Sequence, residues 1–221
     1  MILRNLRATR VVASMLGVFS GLMGMEHGYF ETLPGNGAPG GVIMDAIGRQ
    51  MHSMFQGSEP AFTIIPNFFI TGVLAIILGF IVTIWAAAFI QRKNGVAVMI
   101  VLSVVLFLVG GGLAPLVIET IAGAIGTRSN EPPRWWQAHL SVGVQVFFRK
   151  LWPWVFILFF PPSLMNLQIA ILGNFFGAKN QSVTAILIFL IFGLLLLSIA
   201  SGFAYDTQTR ADSHNEETHF Q

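Results

Sequence analysis

Five stretches of the chain carry almost no charge, and polar segments of uneven length separate them. Residues 67–90 hold the run FFITGVLAIILGFIVTIWAAAFI with no ionisable side chain. Residues 96–122 are apolar apart from Glu119, and residues 152–176 are apolar apart from Asn166 and Gln168. Residues 183–204 include ILIFLIFGLLLLSIA, the most lipid-like run of all. The first stretch, 11–29, follows Arg4, Arg7 and Arg10. A bilayer core of ~30 Å is crossed by about 20 helical residues, and each stretch is close to that length or beyond it. The pattern therefore predicts an all-α integral membrane bundle of five transmembrane helices over residues 1–205. A polar tail at 206–221 lacks apolar periodicity and is expected to be disordered. An arginine-rich start before an apolar run is also the layout of a signal peptide. No small-x-small cleavage site follows this one, so it is read as a retained first helix.

The segments between the spans carry their own patterns. Residues 34–41, PGNGAPGG, favour turns and break helices. Residues 42–55 then place Ile43, Ile47, Met51 and Met54 at helical spacing. That piece is too short to cross a bilayer and is expected at the interface. Residues 134–151 put Gln137, Ser141, Gln145 and Arg149 on one helical face and Trp136, Leu140, Val144, Phe147 and Phe148 on the other. This suits a helix lying in the membrane plane, although LSVGVQV also alternates as a strand would. Trp135, Trp136, Trp152 and Trp154 bracket the segment, and tryptophan concentrates at membrane–water interfaces. One or two short interfacial helices are accordingly expected.

Composition supports a membrane setting. Only 10% of residues are charged, against about 25% in soluble domains. The net charge of +2 gives no basic field for nucleic acid. The absence of cysteine excludes disulfides, thiolate metal sites and cysteine nucleophiles.

Five spans place the termini on opposite sides. Lys and Arg then divide evenly, with Arg4, Arg7, Arg10, Arg92, Lys93 and Lys179 on the N-terminal side and the other six of the 12 across the membrane. The arginine-rich start and the tight Arg92-Lys93 turn favour the N-terminal side as cytoplasmic. The expected location is thus a membrane, the plasma membrane of a prokaryote, with the N-terminus cytoplasmic and the C-terminus outside.

Three features could carry chemistry or assembly. Ser14, Gly17, Gly21, Gly24 and Gly28 recur at spacings of 3, 4, 3 and 4 and form one stripe on the first helix. Small residues let helix backbones approach within lipid. The stripe is expected to pack against a helix of this chain, another membrane protein or a second copy; Gly72 and Gly79 form a weaker version. Glu26, His27 and Glu119 form a candidate polar pocket near the far side, because ionisable groups in membrane segments are functional candidates by default. Gly111 and Pro115 within 96–122, and Pro161 and Pro162 within 152–176, are expected to kink their helices.

No catalytic motif is present. Met23, Met25, His27, Met51, His52 and Met54 offer copper-type ligands but no diagnostic spacing, so no metal or cofactor is expected. The expected partners are the lipid bilayer and a membrane protein on the glycine stripe. The expected function is a non-catalytic membrane component, a subunit, scaffold or accessory protein; the alternative is a small transporter or channel for a proton, cation or small solute, and the third class is an intramembrane enzyme.

Overall fold

The apolar stretches are mainly helical where they are described, as a backbone that meets hydrocarbon must be. The computed structural model describes residues 7–45, 60–128, 139–172 and 181–219. Its elements run α1 (Ala8–Thr32), β1 (Ile43–Asp45), β2 (Pro60–Phe62), α2 (Phe68–Ala88), α3 (Gly95–Leu108), α4 (Leu113–Arg128), α5 (Val142–Leu172) and α6 (Gln181–His219). Four of them, α1, α2, α5 and α6, are long and apolar enough to cross a membrane, whereas α3 and α4 are shorter apolar helices. Among the described residues the chain is all-α apart from β1 and β2, which pair antiparallel with Ile43 opposite Phe62.

The expected single span over 96–122 is corrected to a helical hairpin. α3 ends at Leu108 and α4 starts at Leu113. Between them Gly110 and Gly112 adopt φ of 97° and 82°, a left-handed conformation that glycine enters without steric cost. The Gly111 amide bonds back to the Leu106 carbonyl. α4 then returns alongside α3: a β-carbon on Gly123 would meet Ile100, and one on Gly126 would meet Val96. Pro115 consequently does not kink a span. It sits in the first turn of α4, where a helix needs no amide donor.

The reversal is tied down from outside the hairpin. Gly110 donates to the Phe62 carbonyl, Ile64 donates to the Leu108 carbonyl, and Thr71 of α2 donates to the Val109 carbonyl at 2.8 Å. The short sheet therefore lies over the tip of α3–α4, at what is called here the sheet end of the bundle. Pro161 and Pro162, with Pro153, lie inside one unbroken α5.

α1 is the central element and packs on α2, α4, α5 and α6. Its glycines make this possible. An added β-carbon on Gly28 would fall 2.6 Å from the Gly72 carbonyl oxygen, and one on Gly72 would fall 2.5 Å from that of Gly28. Gly21 and Gly79 show the same reciprocity at 2.6 Å. Gly17 abuts Ala86, Ser14 donates to the Ala86 carbonyl, and Gly24 instead faces Leu106 of α3. The stripe is thus filled within the chain. Toward the start of α1, Val12, Ala13, Leu16, Met99, Ala122, Ile125, Phe159 and Leu195 close into a dry cluster. Outward-facing Ile186, Phe189, Phe192 and Leu196 of α6, and Phe80 of α2, are exposed, as lipid-facing side chains are.

Helix pairings also fix which ends lie together. α5 runs from Trp152, whose ring packs at a tilt against Tyr205 of α6, past Phe159, which meets Phe19, to Ile169 beside Leu187. α6 returns, and Asp206 accepts from the backbone amides of Ala8 and Thr9 at the start of α1. The start of α1 and Asp206 therefore share one end, the terminal end. This corrects the expected opposite placement of the termini: the hairpin contributes two half-turns of direction where a single span would contribute one.

Other expectations shift as well. Residues 142–151 are helical and form the first turns of α5, whereas 134–138 of the expected interfacial segment lie outside the described residues. Residues 129–138 and 46–59 lie outside the described residues, and Ile43, expected on a short helix, is in β1. α6 continues as helix to His219, through the segment read from sequence as a disordered tail. That segment contains no glycine or proline to stop it.

The shared end can be tested directly, since the chain has no native cysteine. Cysteines placed singly at Asn94 and at exposed Gly143 should react with an impermeant thiol reagent from the same side of sealed vesicles. A cysteine at Gly37 should react from the other side. Labelling of Gly143→Cys together with Gly37→Cys would overturn the arrangement.

Candidate functional site

Two buried ionisable side chains, His27 and Glu31, share one stripe of α1. Ser20, Gly24, His27 and Glu31 follow one another at spacings of 4, 3 and 4 residues, so they share a helical face. This face is adjacent to the one carrying Gly17, Gly21 and Gly28, and it looks onto α3–α4. Ser20 is 0% exposed, and His27 and Glu31 are each 2% exposed. From the opposite wall, Glu119 of α4 enters at 0% exposure.

α1 and α4 run antiparallel through this contact, and each polar group has a defined level. Glu31 lies against Gly110, where an added β-carbon would fall 2.6 Å from the carboxyl carbon. The His27 ring lies against Gly112, with its Cε1 2.5 Å from the β-carbon position there. Ser20 donates to the Pro115 carbonyl at 2.9 Å and neighbours the Glu119 carboxyl. The glycines at the tip of α3–α4 thus make room for a carboxylate and an imidazole as well as turning the chain.

Spacing along α1 sets the depth of each group. At 1.5 Å per residue, Glu31 and His27 are about 6 Å apart along the axis, and His27 and Ser20 about 10 Å. Ser20 is the midpoint of the 25-residue α1, so Glu119 stands near mid-bundle. Helical side chains lean toward their own N-terminus. Across an antiparallel pair, His27 leans toward the terminal end and Glu119 toward the sheet end, and each enters the interval between them. Both carboxylate oxygens of Glu31 are buried without a hydrogen-bond partner. Among the described residues, no three His, Cys, Asp or Glu side chains converge as a metal site would require.

Of the residues singled out from sequence, His27 and Glu119 are buried on this α1–α4 contact. Glu26 is partly exposed and lies one helical step, about 100°, away from His27. Glu119 lies deeper than its distance from Val96 suggests, because α4 folds back. Glu31 was not singled out. It falls two residues beyond the apolar run 11–29, where a carboxylate reads as an ordinary helix-end charge. Its 4, 3, 4 register with Ser20, Gly24 and His27 is the signal that marks it. The chain matches no protein-family model, no curated protein and no solved structure.

Proposed function

We propose that this is a proton- or cation-handling membrane protein of the transporter class, with Glu31, His27 and Glu119 as its working groups. The observation that carries this reading is the burial of two carboxylates and an imidazole on one line beside a broken helix pair. Carboxylates at the centre of a membrane helix cost about 2.5–3.5 kcal/mol on insertion scales. A chain that places Glu119 near that level and buries Glu31 toward the sheet end, when glutamine or leucine would fit, gains something from their charge chemistry. A buried carboxylate that accepts no hydrogen bond among the described residues, as at Glu31, is balanced by binding a proton or a mobile cation. Non-helical backbone at membrane depth occurs where it is buried in protein or lines a cavity, and the turn between α3 and α4 stands beside Glu31 and His27. The glycine stripe gives less support to a scaffold role, because α2 and α3 already cover it.

The proposed orientation places the terminal end in the cytoplasm. Among the described residues, Arg7, Arg10, Arg92, Lys93, Arg149 and Lys150 all belong to that end, and no Lys or Arg belongs to the sheet end. Arg92 lies over the Phe89 ring at 4.8 Å and Arg149 over the Tyr205 ring at 5.9 Å, an arrangement suited to the aromatic and cationic belt of a cytoplasmic interface.

Charge displacement on a solid-supported membrane tests the reading without knowledge of a solute. A pH step should produce a transient current in the wild type as protons enter the buried line. Glu119→Gln should reduce the displaced charge by roughly half or more, because the deepest group of the line moves charge through the largest share of the field. No current in the wild type, or an unchanged one in Glu119→Gln, would return the protein to the class of non-catalytic membrane components.

A further inference from the structure

We infer that the ligand of this site is the proton, and that it enters from the aqueous phase at the sheet end alone. The inference rests on the proton- or cation-handling reading above and narrows it to one ligand and one side.

The choice of ligand follows from the arrangement of the groups. A metal or alkali cation needs several oxygen or nitrogen ligands converging on one point. Here the titratable groups are strung along the bundle, one turn and then two turns of α1 apart, and no three of them converge among the described residues. A series of single acceptors passes protons from one to the next and cannot wrap a larger ion. His27, in the middle, has two ring nitrogens and can take a proton on one while giving it up from the other. Glu31 stands before it and Glu119 beyond it. The Ser20 hydroxyl neighbours the last of them and is itself a donor and acceptor.

The side follows from what closes each end of the line. Glu31 is the penultimate residue of α1. Leu33, Pro34 and Asn36, immediately after that helix, are exposed, so the first group of the line lies within two residues of solvent. Below Ser20 the same helix presents Leu16 at 1%, Ala13 at 0% and Val12 at 0% exposure. Met99, Ala122, Ile125, Phe159 and Leu195 close around them. The next buried polar groups on α1 are Thr9 and the Asp206 that binds it, eleven residues and about 16 Å away from Ser20. Among the described residues that interval holds hydroxyls, Ser14, which donates to the Ala86 carbonyl of α2, and Ser198 and Ser201 of α6, but no carboxylate or imidazole to take up a proton. The line is therefore an inlet that stops at mid-depth, and release toward the terminal end requires the apolar cluster to rearrange.

Infrared difference spectroscopy on oriented proteoliposomes tests both statements. Vesicles carrying single copies of Gly37→Cys with the sheet end outward are selected on a thiol resin. The carboxylic-acid C=O band is identified with isotope-labelled glutamate and assigned with Glu31→Gln and Glu119→Gln. The labelled band should follow a pH step in the outer solution and stay unchanged for an equal step inside. A response to the inner step, alone or equal to the outer, would overturn the one-sided inlet. At constant pH, exchange of the buffer cation among sodium, potassium and zinc should leave the band in place, and a shift there would overturn the proton as ligand. A glutamate band that responds to neither pH step nor cation would overturn the broader proton- or cation-handling reading.

Discussion

Gly21→Leu is expected to destabilise the detergent-solubilised protein by about 3 kcal/mol, the upper end of what overpacking costs. The reason lies in what the added carbons meet. A β-carbon at Gly21 already falls 2.6 Å from the Gly79 carbonyl oxygen and 2.8 Å from the Thr83 amide nitrogen. These are backbone atoms of α2, and they cannot rotate aside as a side-chain end can. The two helices must separate, and separation also opens the reciprocal contacts at Gly28–Gly72 and Gly17–Ala86. Gly193 on α6 supplies the control, since nothing lies within 4 Å of its β-carbon position. Gly193→Leu adds the same carbons toward open surroundings and should leave the melting temperature unchanged. Equal melting of the two variants would mean that the α1–α2 contact does not hold the bundle together.

The second large effect is expected at Asp206. Its carboxylate accepts from the Ala8 amide at 2.6 Å, the Thr9 amide at 3.1 Å and the Thr9 hydroxyl at 2.5 Å. α1 carries no capping side chain of its own, since Arg7 makes no such bond. The first amides of a helix lack partners within it and carry the positive end of its dipole. Here a residue 198 positions away supplies the cap. Hydrogen bonds to a charged group contribute about 1.5–3 kcal/mol, and the loss of this acceptor strands buried donors. Asp206→Ala should therefore cost about 3 kcal/mol by thermal melting. Asp206→Asn should retain part of the loss, since its carbonyl still accepts but without charge. Thr9→Val should cost about 1 kcal/mol, the value of one hydrogen bond. A melting temperature unchanged in Asp206→Ala would show that α6 does not anchor the start of α1.

The membrane class and the helical content were legible from sequence because they depend on local properties. An apolar run of about 20 residues has few alternatives to helix, and the described residues of the five runs are helical apart from run ends and the 109–112 reversal. The glycine stripe was legible as a packing face for a similar reason: period and residue size are local. Which helix would fill it was not, since Gly72 and Gly79 lie about fifty residues away and only register along the antiparallel pair brings them to Gly28 and Gly21. The Gly110–Gly112 run was visible as an interruption, yet a kink and a reversal leave the same mark on a sequence. The difference lies in two positive φ angles, and in the hydrogen bonds that Phe62, Leu108 and Thr71 make around the turn.

That one reversal decided much of what the sequence alone had misplaced. It moved Glu119 from an interface to mid-bundle opposite Ser20. It brought the start of α1 and Asp206 to one end, and with them the described Lys and Arg residues. Sequence determined what each segment is, because apolarity, periodicity and turn-forming residues act over a few neighbours. Tertiary structure alone decided where each segment goes. Direction and register depend on contacts between residues such as Asp206 and Ala8, or Gly112 and His27, which no local pattern encodes.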